Sequence, residues 1–205
     1  MSNYFSKVPN LEYVSRLPDA NISDYISVKN LFKRGQLRED IFQDLSVFTK
    51  YQIRGDDRPD NVAFDFYGSS NFDWLVLVCN NIQNIQTEWP LTQRGFDTFL
   101  LEKYGTYEKI NATHHYETVE VKNSLGVVMV TPGLKVSSDF SITYFDNGGY
   151  QTARPVKEVT NLQYEEQLQT DRRNIFLLKP RYTQIALDDL EILMTYKKGS
   201  SQYKT

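Results

Sequence analysis

His114 and His115 stand side by side, with Glu117 and Glu120 close behind. Imidazole and carboxylate together are the donor set of a transition-metal site. On a regular strand, adjacent side chains point to opposite faces, so the two imidazoles are not expected to share an ion. His115 with Glu117 supplies two ligands and no third is evident, so the expectation is ordinary strand histidines and no metal. Cys79 sits in an apolar run and reads as a buried small hydrophobe; a nucleophile would need exposure and a nearby base. The carboxylate pairs Asp56–Asp57 and Asp188–Asp189 would serve glycoside hydrolysis only if they faced each other across a cleft. The first pair lies at a helix entry, where capping explains it, and the second on the polar side of an amphipathic helix. No Gly-rich phosphate loop is present; Pro132-Gly133 and Gly148-Gly149 read as turns. Lys33, Arg34 and Arg38 could meet an acidic partner, although a solvated face is the commoner explanation. No catalytic residue or cofactor is expected, and the chain reads as a non-enzyme.

The elements that would position these residues belong to a chain of 205 residues, with 23 Lys plus Arg against 26 Asp plus Glu and a net charge of −3. That balance argues against a protein held mainly by nucleic-acid phosphates. One Cys excludes an internal disulfide framework and a Cys-based zinc site within one chain. No run approaches the ~18 apolar residues of a membrane span, and no signal-peptide core opens the chain. The expectation is a reducing or non-secretory setting, or release by lysis. Aromatics make up 14%, with 14 Tyr and 12 Phe, a composition suited to burying surface against partners. One or two domains are expected.

Four stretches separate by pattern. Residues 1–45 read as an N-terminal arm, with Val28–Arg34 extended and a short helix over Gln36–Asp44. The arm lies either on a partner or on its own domain. Residues 46–105 read as a core. A strand runs over Val47–Ile53, and Asp57 caps a helix that opens with Pro59 and stops at Gly68. A second helix, capped by Asn71, is apolar nearly all round up to Asn80-Asn81. A third is capped by Thr92 and closed by Gly105, with Phe96, Phe99, Leu100 and Tyr104 on one face. Residues 106–158 alternate as a small β insertion of two to four strands with a tight turn at Asp146–Gly149. Residues 159–205 return to helix, through a short strand-like run at Asn174–Lys179 and a last helix, before a tail at Lys197–Ser201 that reads as disordered.

The series Tyr51-x-Ile53-x-Gly55-Asp56, Val62-Ala63-x-x-Phe66-Tyr67-Gly68 and Trp74-x-x-Leu77-x-x-x-Asn80 resembles the first three elements of a LysM-type module. Tyr51–Pro59 and Ala63–Asn80 further resemble the baseplate wedge protein 53 family of T-even-type contractile-tailed phages. The likeness continues at Trp89 and its following helix, and resumes over Tyr164–Glu165, Asn174–Pro180 and Leu190–Met194. It implies an α+β fold: a LysM-like βααβ core with a small β insertion, an extended arm and a C-terminal helical segment. It also implies a structural subunit of the virion tail baseplate, assembled in the host cytoplasm. That subunit would join neighbouring wedge proteins, with the hub as a further partner, and contact neither nucleic acid nor membrane. Tyr, Trp and Arg are the usual interface anchors, which singles out Tyr51, Arg54, Arg58, Tyr67 and Trp89. The alternative is a glycan-binding LysM module, whose groove would fall at Gly55, Asp56, Asp57, Arg58, Asn80 and Asn81.

Overall fold

The computed structural model describes residues 4–199, so Ser200 and Ser201 of the expected tail lie outside the described residues. In chain order, the first part runs α1 (Tyr4–Lys7), β1 (Asn10–Val14), β2 (Tyr25–Lys29), α2 (Glu39–Gln43), β3 (Phe48–Gln52), α3 (Pro59–Tyr67), α4 (Asp73–Cys79) and α5 (Ile85–Glu88). Then come α6 (Gln93–Tyr104), α7 (Tyr107–Ile110), β4 (Thr113–Thr118), β5 (Val121–Lys122), β6 (Val128–Val130), β7 (Lys135–Val136), β8 (Ile142–Asp146), β9 (Gly149–Ala153) and β10 (Val156–Thr160). The chain ends with α8 (Asn161–Arg173), β11 (Asn174–Leu178) and α9 (Thr183–Met194). The protein is mixed α and β. It divides into two compact units: residues up to Trp89 with those from Arg173 onward, and Pro90–Arg172.

The first unit is built on an antiparallel pair. β3 pairs with β11 in the register Phe48↔Leu178 to Gln52↔Asn174. No closing strand is legible after Asn81 because the strand that closes this pair arrives only after the whole second unit. Between the two strands lie α3 and α4. Pro59 opens α3, where its missing N–H costs nothing, and Gly68 stops it at φ +76°. Asp57 does not cap α3: the cap position is Arg58, with no side-chain cap bond. Nor does Asn71 cap the next helix. It sits inside a 3₁₀ turn, Ser70–Phe72, whose cap is Ser69. α4 buries Trp74, Leu75, Val76 and Cys79, and these pack with Val62, Ala63, Leu177, Leu178 and Leu190 in one large cluster.

The arm is not simply extended. β1 and β2 form an antiparallel hairpin from Asn10↔Lys29 to Val14↔Tyr25, and α2 is shorter than the expected helix. Its base joins the core of the first unit. Val8, only 1% exposed, and Ile41 belong to the large cluster, and the Tyr4 ring lies 5.8 Å from that of Trp74. Lys29 donates to the Val8 carbonyl at 2.7 Å, and Lys33 to the carbonyls of Leu193 and Thr195, both at 2.9 Å.

The second unit holds a smaller core of Phe96, Leu100 and Ile110, joined by Phe99, Tyr104 and Leu162. α6 is in this unit. Thr92 caps it, accepting from Gly95 N–H at 3.1 Å, and Gly105 ends it. Seven strands, β4 to β10, replace the expected two to four, because short pieces pair locally. The order β10-β4-β7 makes one sheet, and β5-β6 and β8-β9 make two hairpins. Asn147 and Gly148 both take positive φ at the β8–β9 turn, the twist that a two-residue hairpin loop favours. Thr160 and Gln163 cap the start of α8 reciprocally, at 3.1 and 3.3 Å.

Candidate functional site

The histidine pair departs from its expectation. β10 pairs with β4 through Val159↔His115 and Thr160↔Thr113, leaving His114 as the extra residue of a bulge. A bulge breaks the strict alternation of faces. The two imidazoles meet, Nδ1 to Nδ1 at 2.7 Å. His115 Nε2 lies 3.0 Å from Glu117, whose other oxygen lies 3.2 Å from Lys157 Nζ. His114 stacks on Tyr164 at 4.0 Å. Burial, then the neighbouring His115, lowers the pKa of His114 below its ordinary value. Hydrogen bonding from His115 first, and Lys157 among the further causes, holds Glu117 below the usual carboxylate range. Among the described residues, no group of three or more His, Cys, Asp or Glu is placed to hold a metal ion.

The other chemically suggestive residues take structural positions. Cys79 is buried, its thiol pushed up to about 12 by desolvation, with a hydrogen bond to the Leu178 backbone acting weakly in the other direction. Asp188 accepts from Gln184 at 2.8 Å. Asp189 departs from the expected solvated face. It turns inward beside core residue Leu190, 3.7 Å from Arg38, and its Oδ2 is buried without a partner among the described residues. In the second unit Glu165, 2% exposed, receives the Lys103 ammonium and the Tyr104 hydroxyl. The sequence marks neither inward turn, since both residues sit on helices rich in other charges.

The partner-anchor candidates separate by exposure. Trp89 is only 6% exposed and donates its indole N–H to the Asp57 carbonyl at 3.0 Å. Tyr67 is half-buried and donates to the Leu178 carbonyl at 2.9 Å; burial raises its pKa. Tyr51 packs edge-on against Phe66. Arg54 and Arg58 are exposed, Arg58 being paired with Asp60 at 3.2 Å. Of the glycan-loop residues, Gly55 accepts from Arg173 through its carbonyl, Asp56 is exposed and Asp57 half-buried. Asn80 is fully engaged. It donates to Val76 and Phe176 carbonyls at 2.8 and 2.9 Å and accepts from Phe176 N–H at 2.8 Å. Asn81 takes φ +52°.

Exposed large apolar side chains form two main groups, one on β5–β9 of the second unit, with Leu125 and Tyr150 among them, and one on the N-terminal hairpin and the segment after it. Leu17, Ile22 and Phe32 are 69%, 89% and 95% exposed, and Tyr13, Tyr25, Ile26 and Leu31 are exposed as well. Exposed apolar side chains grouped on a folded element are a candidate contact surface. A resemblance carried by motifs misses it, because the hairpin follows no motif; only its apolar residues in an otherwise polar lead could have flagged it.

No described helix is long and apolar enough to cross a membrane. Among the curated proteins compared with the chain, none matches. A family model, described as base plate wedge protein 53, matches residues 3–125. The match takes in the hairpin, β3, α3, α4 and α6 and stops within the second unit, short of β11. It covers more than half of the 205 residues, and the chain therefore belongs to the base plate wedge protein 53 family.

Proposed function

We propose that this protein is a non-enzymatic, structural subunit of a contractile phage tail that joins neighbouring wedge subunits while the base plate assembles, with the hub as a further contact. The family supports the base plate role and a place in the virion tail. The joining role rests on one observation: a hairpin anchored at its base in the core of the first unit presents apolar side chains to solvent. An anchored base fixes direction, and the apolar tip supplies the area that a stable junction needs. Arg54 and Arg58 are the exposed polar anchors in this reading, with Tyr51 and Tyr67 supporting them.

We read the first unit as a LysM-like core in which β3, α3 and α4 are completed by β11, the second unit being an insertion. A glycan groove on that core would draw on Gly55, Asp56, Asp57, Arg58, Asn80 and Asn81. The Asn80 amide is spent on the backbone, which favours the scaffold use.

The test is a triple variant, Leu17→Ser, Ile22→Ser and Phe32→Ser, co-expressed with the other wedge proteins of the same phage. All three side chains are exposed, so the melting temperature should hold. The expected result is loss of the joined wedge complex on gel filtration. A complex that forms normally would sink the reading.

A further inference from the structure

Next to the hairpin base, a depression of about 510 Å³ is lined by Tyr4, Phe5, Trp74, Leu77, Ile82 and Ile85 among others, with Arg34 and Val78. A second depression of about 250 Å³ is also lined by Arg34 and Val78, with Leu37, Phe42 and Asn81. All of these residues belong to the first unit. The two hollows share Arg34 and Val78, so they adjoin at these residues.

The charges around this groove are unequal in their partners. Asp60 is paired with Arg58 at 3.2 Å. Asp73, which lines the larger hollow, accepts the backbone N–H of Trp74 at 2.7 Å and has no ion pair among the described residues. Arg34 has no ion pair among the described residues. Its guanidinium makes a long contact, 3.4 Å from Nη2 to the neutral Asn81 Oδ1. The smaller hollow is lined by Arg34 and by no carboxylate, so the forked cation on that side selects a carboxylate, which guanidinium binds through two parallel hydrogen bonds, while Tyr4, Phe5, Leu77, Ile82 and Ile85 of the larger hollow suit apolar side chains. A size of several hundred Å³ accommodates two or three side chains rather than a whole protein face.

We propose that this groove receives a short segment of a neighbouring protein, bearing apolar side chains and a Glu or Asp that pairs with Arg34. That the occupant is protein rests on the wedge reading; the carboxylate and the apolar anchors rest on the groove itself. The docking mode is a peptide laid in a groove and read by a few anchors.

The test selects a random 12-residue peptide library on the immobilised full-length chain, and then measures the selected peptides against Arg34→Glu and Ile85→Asp, whose altered side chains are exposed. Selected peptides should carry Glu or Asp beside Leu, Ile or Phe. They should lose roughly tenfold or more in affinity on each variant, with melting unchanged. Replacing the peptide's acid by Lys should restore binding to Arg34→Glu. Peptides without acidic residues, peptides that bind both variants as tightly as the parent, or no selected peptide at all would each overturn the proposal. The hairpin variant reports on joining and leaves the groove intact, so the two readings fail separately. If peptide binding persists while the hairpin variant assembles normally, the groove stands and the hairpin-mediated joining role falls.

Discussion

The Nδ1 atoms of His114 and His115 lie 2.7 Å apart, a separation that suits one shared proton and opposes two. The lowered pKa of His114 has a definite sign for stability. Near its ordinary value of 6.5 the unfolded chain takes up a proton that the folded chain refuses, so acidification destabilises the fold, and the loss is complete below the folded pKa. Glu117 adds to it lower down. Its depressed pKa stabilises the fold above the ordinary carboxylate value, and that contribution disappears as pH falls through the folded pKa. The expected NMR titration puts His114 below 6.5, and His115→Ala should move it upward. An unmoved His114 would show that the bulge does not couple the rings. Alternation cannot reveal this pair, since the bulge depends on how β10 registers against β4, a long-range property absent from the local pattern.

At the scale of elements, the β3–β11 pair has unlike edges. Ile53 N–H to the Arg173 carbonyl and Lys179 N–H to the Val47 carbonyl mark the alternate residues that bond to the partner strand, which leaves Phe176 and Leu178 facing outward. Asn80 takes both backbone groups of Phe176, and Tyr67 takes the Leu178 carbonyl. Side chains of Tyr67 in α3 and of Asn80, the residue that ends α4, thus stand in for a third strand. Asn80→Ala should cost about 1–2 kcal/mol in a denaturation experiment, because water replaces only part of what is lost at a half-covered edge. Asn80→Asp should cost more, since a carboxylate would face the Phe176 carbonyl; equal stability of parent and both variants would refute the edge-capping role. The helices were legible where local signals decide them: Pro59, Gly68, Thr92 and Gly105 all act as their types suggest. The edge-capping work of Asn80 was not, because it answers to a strand far along the chain. The Arg34 groove was equally hidden, as it forms only when the arm folds back beside α4.

At the scale of the whole molecule, the two units differ in how much they bury. The first gathers strands, helices and the hairpin base around one large cluster, while the second has three buried apolar residues in its own. Protection against opening follows buried apolar contacts. Amides of β4 and β10 should therefore exchange with solvent faster than those of β3 and β11, and the reverse order by hydrogen-exchange mass spectrometry would contradict this ranking. The late arrival of β11 has a consequence for synthesis on the ribosome. From Cys79 to Leu178 is 178 − 79 = 99 residues, so at about 5–20 residues per second the nascent chain carries β3, α3 and α4 without their partner strand for roughly 5–20 s. Through that interval translation order withholds a finished first unit, and a fragment truncated before β11 would present an open strand in place of a docking-competent subunit.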